Sequence, residues 1–116
     1  MANPLFHWEL MVSDLAQSKD FYSKVFDWEV DDENFPDYPL IKTGQTPGGA
    51  FMPKPQGVDR PALNVYFHTD DIQNTLTRAE VLGATIIAPK TPIIGIGYWA
   101  MFADPDGILI GLLQPE

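Results

Sequence analysis

A repeated order of elements constrains this chain more than any single residue does. Phe6-His7-Trp8-Glu9-Leu10-Met11-Val12 alternates as a strand with one buried face. Ser13-Asp14 then offers an N-cap, with Gln17 three residues on as in a capping box. Leu15, Phe21, Tyr22, Val25 and Phe26 follow at helical spacing, which predicts a helix laying one apolar face on a sheet. Trp28-Glu29-Val30, Leu40-Ile41-Lys42-Thr43 and Ala50-Phe51-Met52 read as three further strands. About 57 residues along, the plan returns. Ala62–His68 takes the first strand, Asp71-Ile72 the place of Asp14-Leu15, and Ile72, Leu76, Ala79 and Leu82 the helix, with Gly83 as its stop. Thr85-Ile86-Ile87-Ala88 is the next strand. Tyr98–Phe102 and Ile108–Leu113 form a hairpin across Asp104-Pro105-Asp106-Gly107, where Pro and Gly suit a type I turn. Proline and glycine leave the conformation of loops 31–39 and 89–97 unread.

The reading is one α+β domain over residues 1–116, with module one at 1–55, a proline-rich connector at 53–61 and module two at 62–116. A length of 116 residues, 45% hydrophobic and 20% charged, supports a globular core. No apolar run approaches the ~20 residues of a membrane span, and the N-terminus lacks a signal-peptide layout, so a cytoplasmic protein is expected. Absence of cysteine excludes disulfides, zinc–thiolate centres and thiol nucleophiles. A net charge of −9, with seven basic residues scattered along the chain, argues against nucleic acid and anionic membranes as partners. Gly48-Gly49 is too short for a phosphate loop, and no dinucleotide fingerprint occurs.

Period-two alternation places His7, Glu9 and Met11 on one strand face, and Asn64, Tyr66 and His68 on one face of its counterpart. Trp8, Leu10, Val65 and Phe67 then point to the helices. Glu9 reads either as a general base or as a paired carboxyl group. His7 reads equally as a ligand or as a hydrogen-bonded pocket residue. Of Tyr98 and Trp99, one faces the sheet's open side and the other the helices. Asp104 and Asp106 are turn formers.

Val12-Ser13-Asp14-Leu15, Ser18, Phe21-Tyr22 and Val25-Phe26-Asp27-Trp28 resemble the start of a vicinal oxygen chelate module, and Ala103–Gly107 with Gly111-Leu112 resembles its closing hairpin. Pro89-Lys90-Thr91-Pro92 with Gly95, Gly97, Tyr98 and Trp99 is similar to a subgroup of small glyoxalase-like proteins. The superfamily holds glyoxalase I, ring-cleaving dioxygenases, fosfomycin-resistance enzymes and bleomycin-binding proteins. The resemblance implies tandem βαβββ modules whose curved mixed sheets form a cleft, often paired across chains in a homodimer. In metal-using members the resemblance implies a divalent metal held mostly by His and Glu on the first and last strands of each module.

Matched residue by residue, that ligand set is broken. His7, seven before Asp14, keeps the first position; Asn64, seven before Asp71, stands where His is common. Gly111, seven after Asp104, replaces the second module's glutamate, and the first module's slot falls near Ala50 or Phe51. A rearranged site of His7, Glu9 and His68 would give two His and one carboxylate, the set of non-haem iron centres. The expectation is a small-molecule-binding protein without a cofactor and without ordinary glyoxalase I activity. Its pocket would be lined by His7, Glu9, Asn64, Tyr66, His68 and Trp99, with Glu9 the candidate catalytic group. The alternatives are a metal-dependent lyase, isomerase or dioxygenase using His7, and a module acting through its surface.

Overall fold

The computed structural model describes residues 2–116 and holds two helices and eight strands in the order β1 (Leu5–Val12), α1 (Leu15–Phe26), β2 (Glu29–Asp31), β3 (Leu40–Lys42), β4 (Gly49–Pro53), β5 (Ala62–His68), α2 (Ile72–Val81), β6 (Thr85–Ile93), β7 (Gly97–Ala103) and β8 (Leu109–Pro115). The α+β class and the repeated βαβββ order are as expected. The chain divides into two compact units, His7–Asn64 and the residues up to Phe6 together with Val65–Glu116.

In the His7–Asn64 unit the strand order is β2-β3-β4-β1. β1 and β4 run parallel, with Trp8 opposite Gly49 and Glu9 opposite Ala50, and the other pairs are antiparallel. Asp14 caps α1, accepting the Gln17 N–H at 3.0 Å, and Asp27 ends it in the left-handed region at φ 57°. An aspartate tolerates that conformation better than most side chains. Val12, Ile41 and Phe51 are buried, with Trp8, Leu10, Leu15, Tyr22, Trp28 and Val30 packed on them. The apolar stripe of α1 is wider than the face it buries. Leu15 and Tyr22, two turns apart, meet the core, whereas Phe21, Val25 and Phe26 are more than half exposed.

The second unit repeats the plan in the order β5-β8-β7-β6, with β5 and β8 parallel and the rest antiparallel. Asp71 caps α2 through the Asn74 N–H at 3.0 Å. Ile72, Leu76, Ala100 and Leu112 form the core under Phe67, Ile86, Tyr98 and Phe102, while Leu82, expected on the packed stripe, is exposed at the helix end. Asp104 forms the closing turn, its Oδ1 accepting the N–H groups of Asp106 (2.9 Å) and Ile108 (2.8 Å). The segment 89–97 is a further departure from the sequence expectation, since β6 continues through Pro89 and Pro92 to Ile93. β6 is the last strand of its row, so the N–H groups that proline lacks can face outward, and irregularities between Ile86 and Thr91 absorb the mismatch.

Candidate functional site

The pleat of β1 sorts its side chains. Trp8, Leu10 and Val12 go to the α1 core, which turns His7 and Glu9 to the opposite face. There Glu9 is only 4% exposed, and burial of a carboxyl group demands hydrogen-bond partners. It has them. Tyr38 Oη donates to Glu9 Oε2 at 2.7 Å, and Asn64 Nδ2 donates to Oε1 at 3.1 Å. The same Tyr38 oxygen lies 2.8 Å from His7 Nε2. The Tyr38 oxygen thus bridges the imidazole and the carboxyl group. The result is a continuous chain His7–Tyr38–Glu9–Asn64, contained in one unit.

Burial lowers the pKa of His7 below its ordinary 6.5, against the smaller raising effects of Glu9 and the Gly48 backbone. Gly48 also borders an open groove along Ile41–Thr46. Tyr38, absent from the sequence-derived set, is delivered by the loop before β3. The adjoining Pro39 is fully buried, and its carbonyl accepts the Phe51 N–H at 2.8 Å. A loop of Asp, Asn and Pro carries no periodicity, so only the tyrosine itself could have drawn attention there.

The six expected pocket residues fall into two sets. His7, Glu9 and Asn64 belong to the chain just described. Tyr66, His68 and Trp99 share a face of the second unit, turned away from α2: Phe67, Leu112, Ala100 and Tyr98 fill the core, and the alternate positions point the other way. Trp99 therefore takes the open side and Tyr98 the helix side. On that open face Tyr66 stands opposite Gly111, and a Cβ added to Gly111 would come within 2.3 Å of the Tyr66 ring.

The metal that the resemblance implies does not fit these residues. Gly111 lies under an aromatic ring where a glutamate is expected. Ala50, the β4 residue opposite Glu9, has no donor, and Phe51 is core. Asn64 turns its amide hydrogens, not its oxygen, to Glu9. Among the described residues no three His, Cys, Asp or Glu side chains form a metal-binding group. Within its own unit His68 lies 3.7 Å from Asp70 with its ring edge-on to Phe6 at 5.4 Å. It ends β5, where its main chain is held by Asn3 and Pro4.

Comparison with known proteins agrees with the fold. The chain is 32% identical over 111 residues to the anthracycline biosynthesis protein DnrV of Streptomyces peucetius, covering 81% of this chain and 40% of that protein. It is 26% identical over 113 residues to "Putative glyoxylase CFP32" of Mycobacterium tuberculosis, covering 91% of this chain and 43% of that protein. It thus spans about two fifths of the length of these relatives. The Mn(II)-bound glyoxalase of Novosphingobium aromaticivorans superposes with a TM-score of 0.70 at 17% identity, over 96% of this chain and 38% of that one, a likeness of fold alone. The model of the Glyoxalase/Bleomycin resistance protein/Dioxygenase superfamily matches residues 5–112, and the chain belongs to that family.

Proposed function

We propose that this chain is a small-molecule-binding member of its superfamily in which a hydrogen-bonded acid–base group, His7–Tyr38–Glu9–Asn64, stands in place of the usual metal site. The observation that carries the reading is the seat of the Tyr38 phenol between His7 and Glu9, which engages the two best donors for a metal with each other. The ring packed on Gly111 supports it from the second unit. Small-molecule chemistry in family members, from a Mn(II)-bound glyoxalase to a protein of anthracycline biosynthesis, supports the ligand class at its broadest. Glu9 is then the group able to take or hold a proton, and His7 the one able to pass it on through Tyr38.

Elemental analysis of untagged protein purified without chelator, followed by titration with Mn(II), tests this reading. The expected result is no stoichiometric transition metal, in wild type and His7→Ala alike, and no turnover of the hemithioacetal of methylglyoxal and glutathione. A stoichiometric metal that disappears in His7→Ala would overturn it in favour of a metal-dependent lyase, isomerase or dioxygenase with a rearranged ligand set.

A further inference from the structure

Tyr38 serves His7 and Glu9 as a ligand would. Its oxygen lies 2.8 Å from His7 Nε2 and 2.7 Å from Glu9 Oε2, and its ring stacks on the imidazole at 6.1 Å between centroids and 28° between planes. Whatever fills that position must hydrogen-bond a ring nitrogen on one side and a carboxyl oxygen on the other, which asks for a group that can both donate and accept. A ketone or an ether accepts but cannot donate, an ammonium donates but cannot accept, and a carboxylate would set like charges together. A hydroxyl does both. A hydroxyl on a flat unsaturated carbon, as in a phenol or an enol, also reproduces the stacked plane.

The tether of Tyr38 bears on how the position is vacated. Loop 32–39 is held at one end by the Lys19–Asp32 ion pair and at the other by buried Pro39, whose carbonyl is bonded to the Phe51 N–H. Proline also fixes its own φ, so the backbone around Tyr38 is anchored. The Tyr38 side chain is itself only partly buried. Rotation about its side-chain bonds can therefore carry the ring into solvent while the main chain stays in place.

We propose that Tyr38 is an internal occupant of the binding site, displaced by a neutral planar hydroxyl compound that takes its place between His7 and Glu9. This rests on the small-molecule reading above and names the ligand class for it.

The test measures affinity for phenol, with anisole as the probe of the same shape that cannot donate. In Tyr38→Ala, phenol should bind about tenfold tighter than in wild type, the worth of a hydrogen bond to a carboxyl group, and anisole should gain nothing comparable. Equal gains for the two probes, or no gain for phenol, would overturn the inference. Should Tyr38→Ala fail to fold, wild type supplies a second measurement. The chain has two histidines, so the His7 ring signals can be assigned by NMR against a His68→Gln variant. Phenol should shift them at concentrations where anisole does not, and unmoved His7 signals at saturating phenol would again overturn it. The two proposals fail separately. A native stoichiometric metal sinks the earlier one whatever phenol does, whereas metal-free protein stabilised by other small molecules but indifferent to phenol sinks this one alone.

Discussion

Each unit carries an aromatic ring over a glycine on its parallel strand pair, but on opposite faces. In the His7–Asn64 unit Trp8 covers Gly49, on the side of α1, where Trp8 packs on Trp28 at 5.2 Å between centroids and donates from its indole to Pro47 O at 3.0 Å. In the second unit Tyr66 covers Gly111, on the side away from α2. One residue of offset in the repeat accounts for this, because a shift of one along a strand moves a side chain to the other face. The first unit thereby keeps its open face for His7 and Glu9. The second fills the same face with a ring and leaves its glutamate position to glycine. A duplicated fold can thus keep a polar chain on this face in one half and close the matching position with a ring in the other.

Forcing the second unit to resemble its metal-binding kin should produce the largest effect. Gly111→Glu places a Cβ within 2.3 Å of the Tyr66 ring and a carboxyl group on a buried strand position. A loss of about 3 kcal/mol or more is expected in urea unfolding, with partial recovery in Gly111→Glu/Tyr66→Ala. Gly49→Ala in the first unit meets the Trp8 ring at 2.5 Å, and the bond to Pro47 keeps that ring from yielding, so about 1–3 kcal/mol should be lost there. Equal stability of Gly111→Glu and wild type would break the comparison. Next in size is Glu9→Ala, which strips Tyr38 and Asn64 of their shared acceptor. It should lower stability by about 1–3 kcal/mol in the same measurement, more than Trp99→Phe on the open face of the second unit.

How much of this was legible follows from where periodicity exists. Strands and caps were readable because Asp14 and Asp71 each precede a helix by one residue and because β1 alternates. That alternation also picked out His7 and Glu9, and the matching strand supplied Asn64. The width of the buried stripe on α1 was not readable: Phe21 and Val25 share helical spacing with Tyr22 but not its face, and spacing alone does not say how far a sheet extends under a helix. β6 was missed beyond Ala88 because its prolines read as loop, a rule that relaxes on the last strand of a row. Tyr38 was missed because a residue in a loop of no period is placed by tertiary anchors, here Pro39 and the ion pair at Asp32. Period two set His68 on the face of Tyr66, and what it does not give is its neighbours at the end of β5, where its ring lies against Phe6 and Asp70.

The smallest expected effect isolates His7 by pH. Burial holds the folded-state pKa of His7 below 6.5, so in the window under that value the unfolded chain binds a proton that the folded chain does not. Stability is therefore complete above the unfolded value and falls as pH drops through the window towards the folded value. Asp31, held by Asn34, and Asp32, held by Lys19, are lowered from 3.8, so their contribution is lost only below that value. Urea unfolding midpoints at about pH 7.5 and about pH 5.5 should thus fall together in wild type and in His68→Gln, and differ less in His7→Gln. A wild-type midpoint that rises on acidification would mean that Glu9 and Gly48 outweigh burial. The His7 imidazole would then be held in its charged form within the first unit's polar chain.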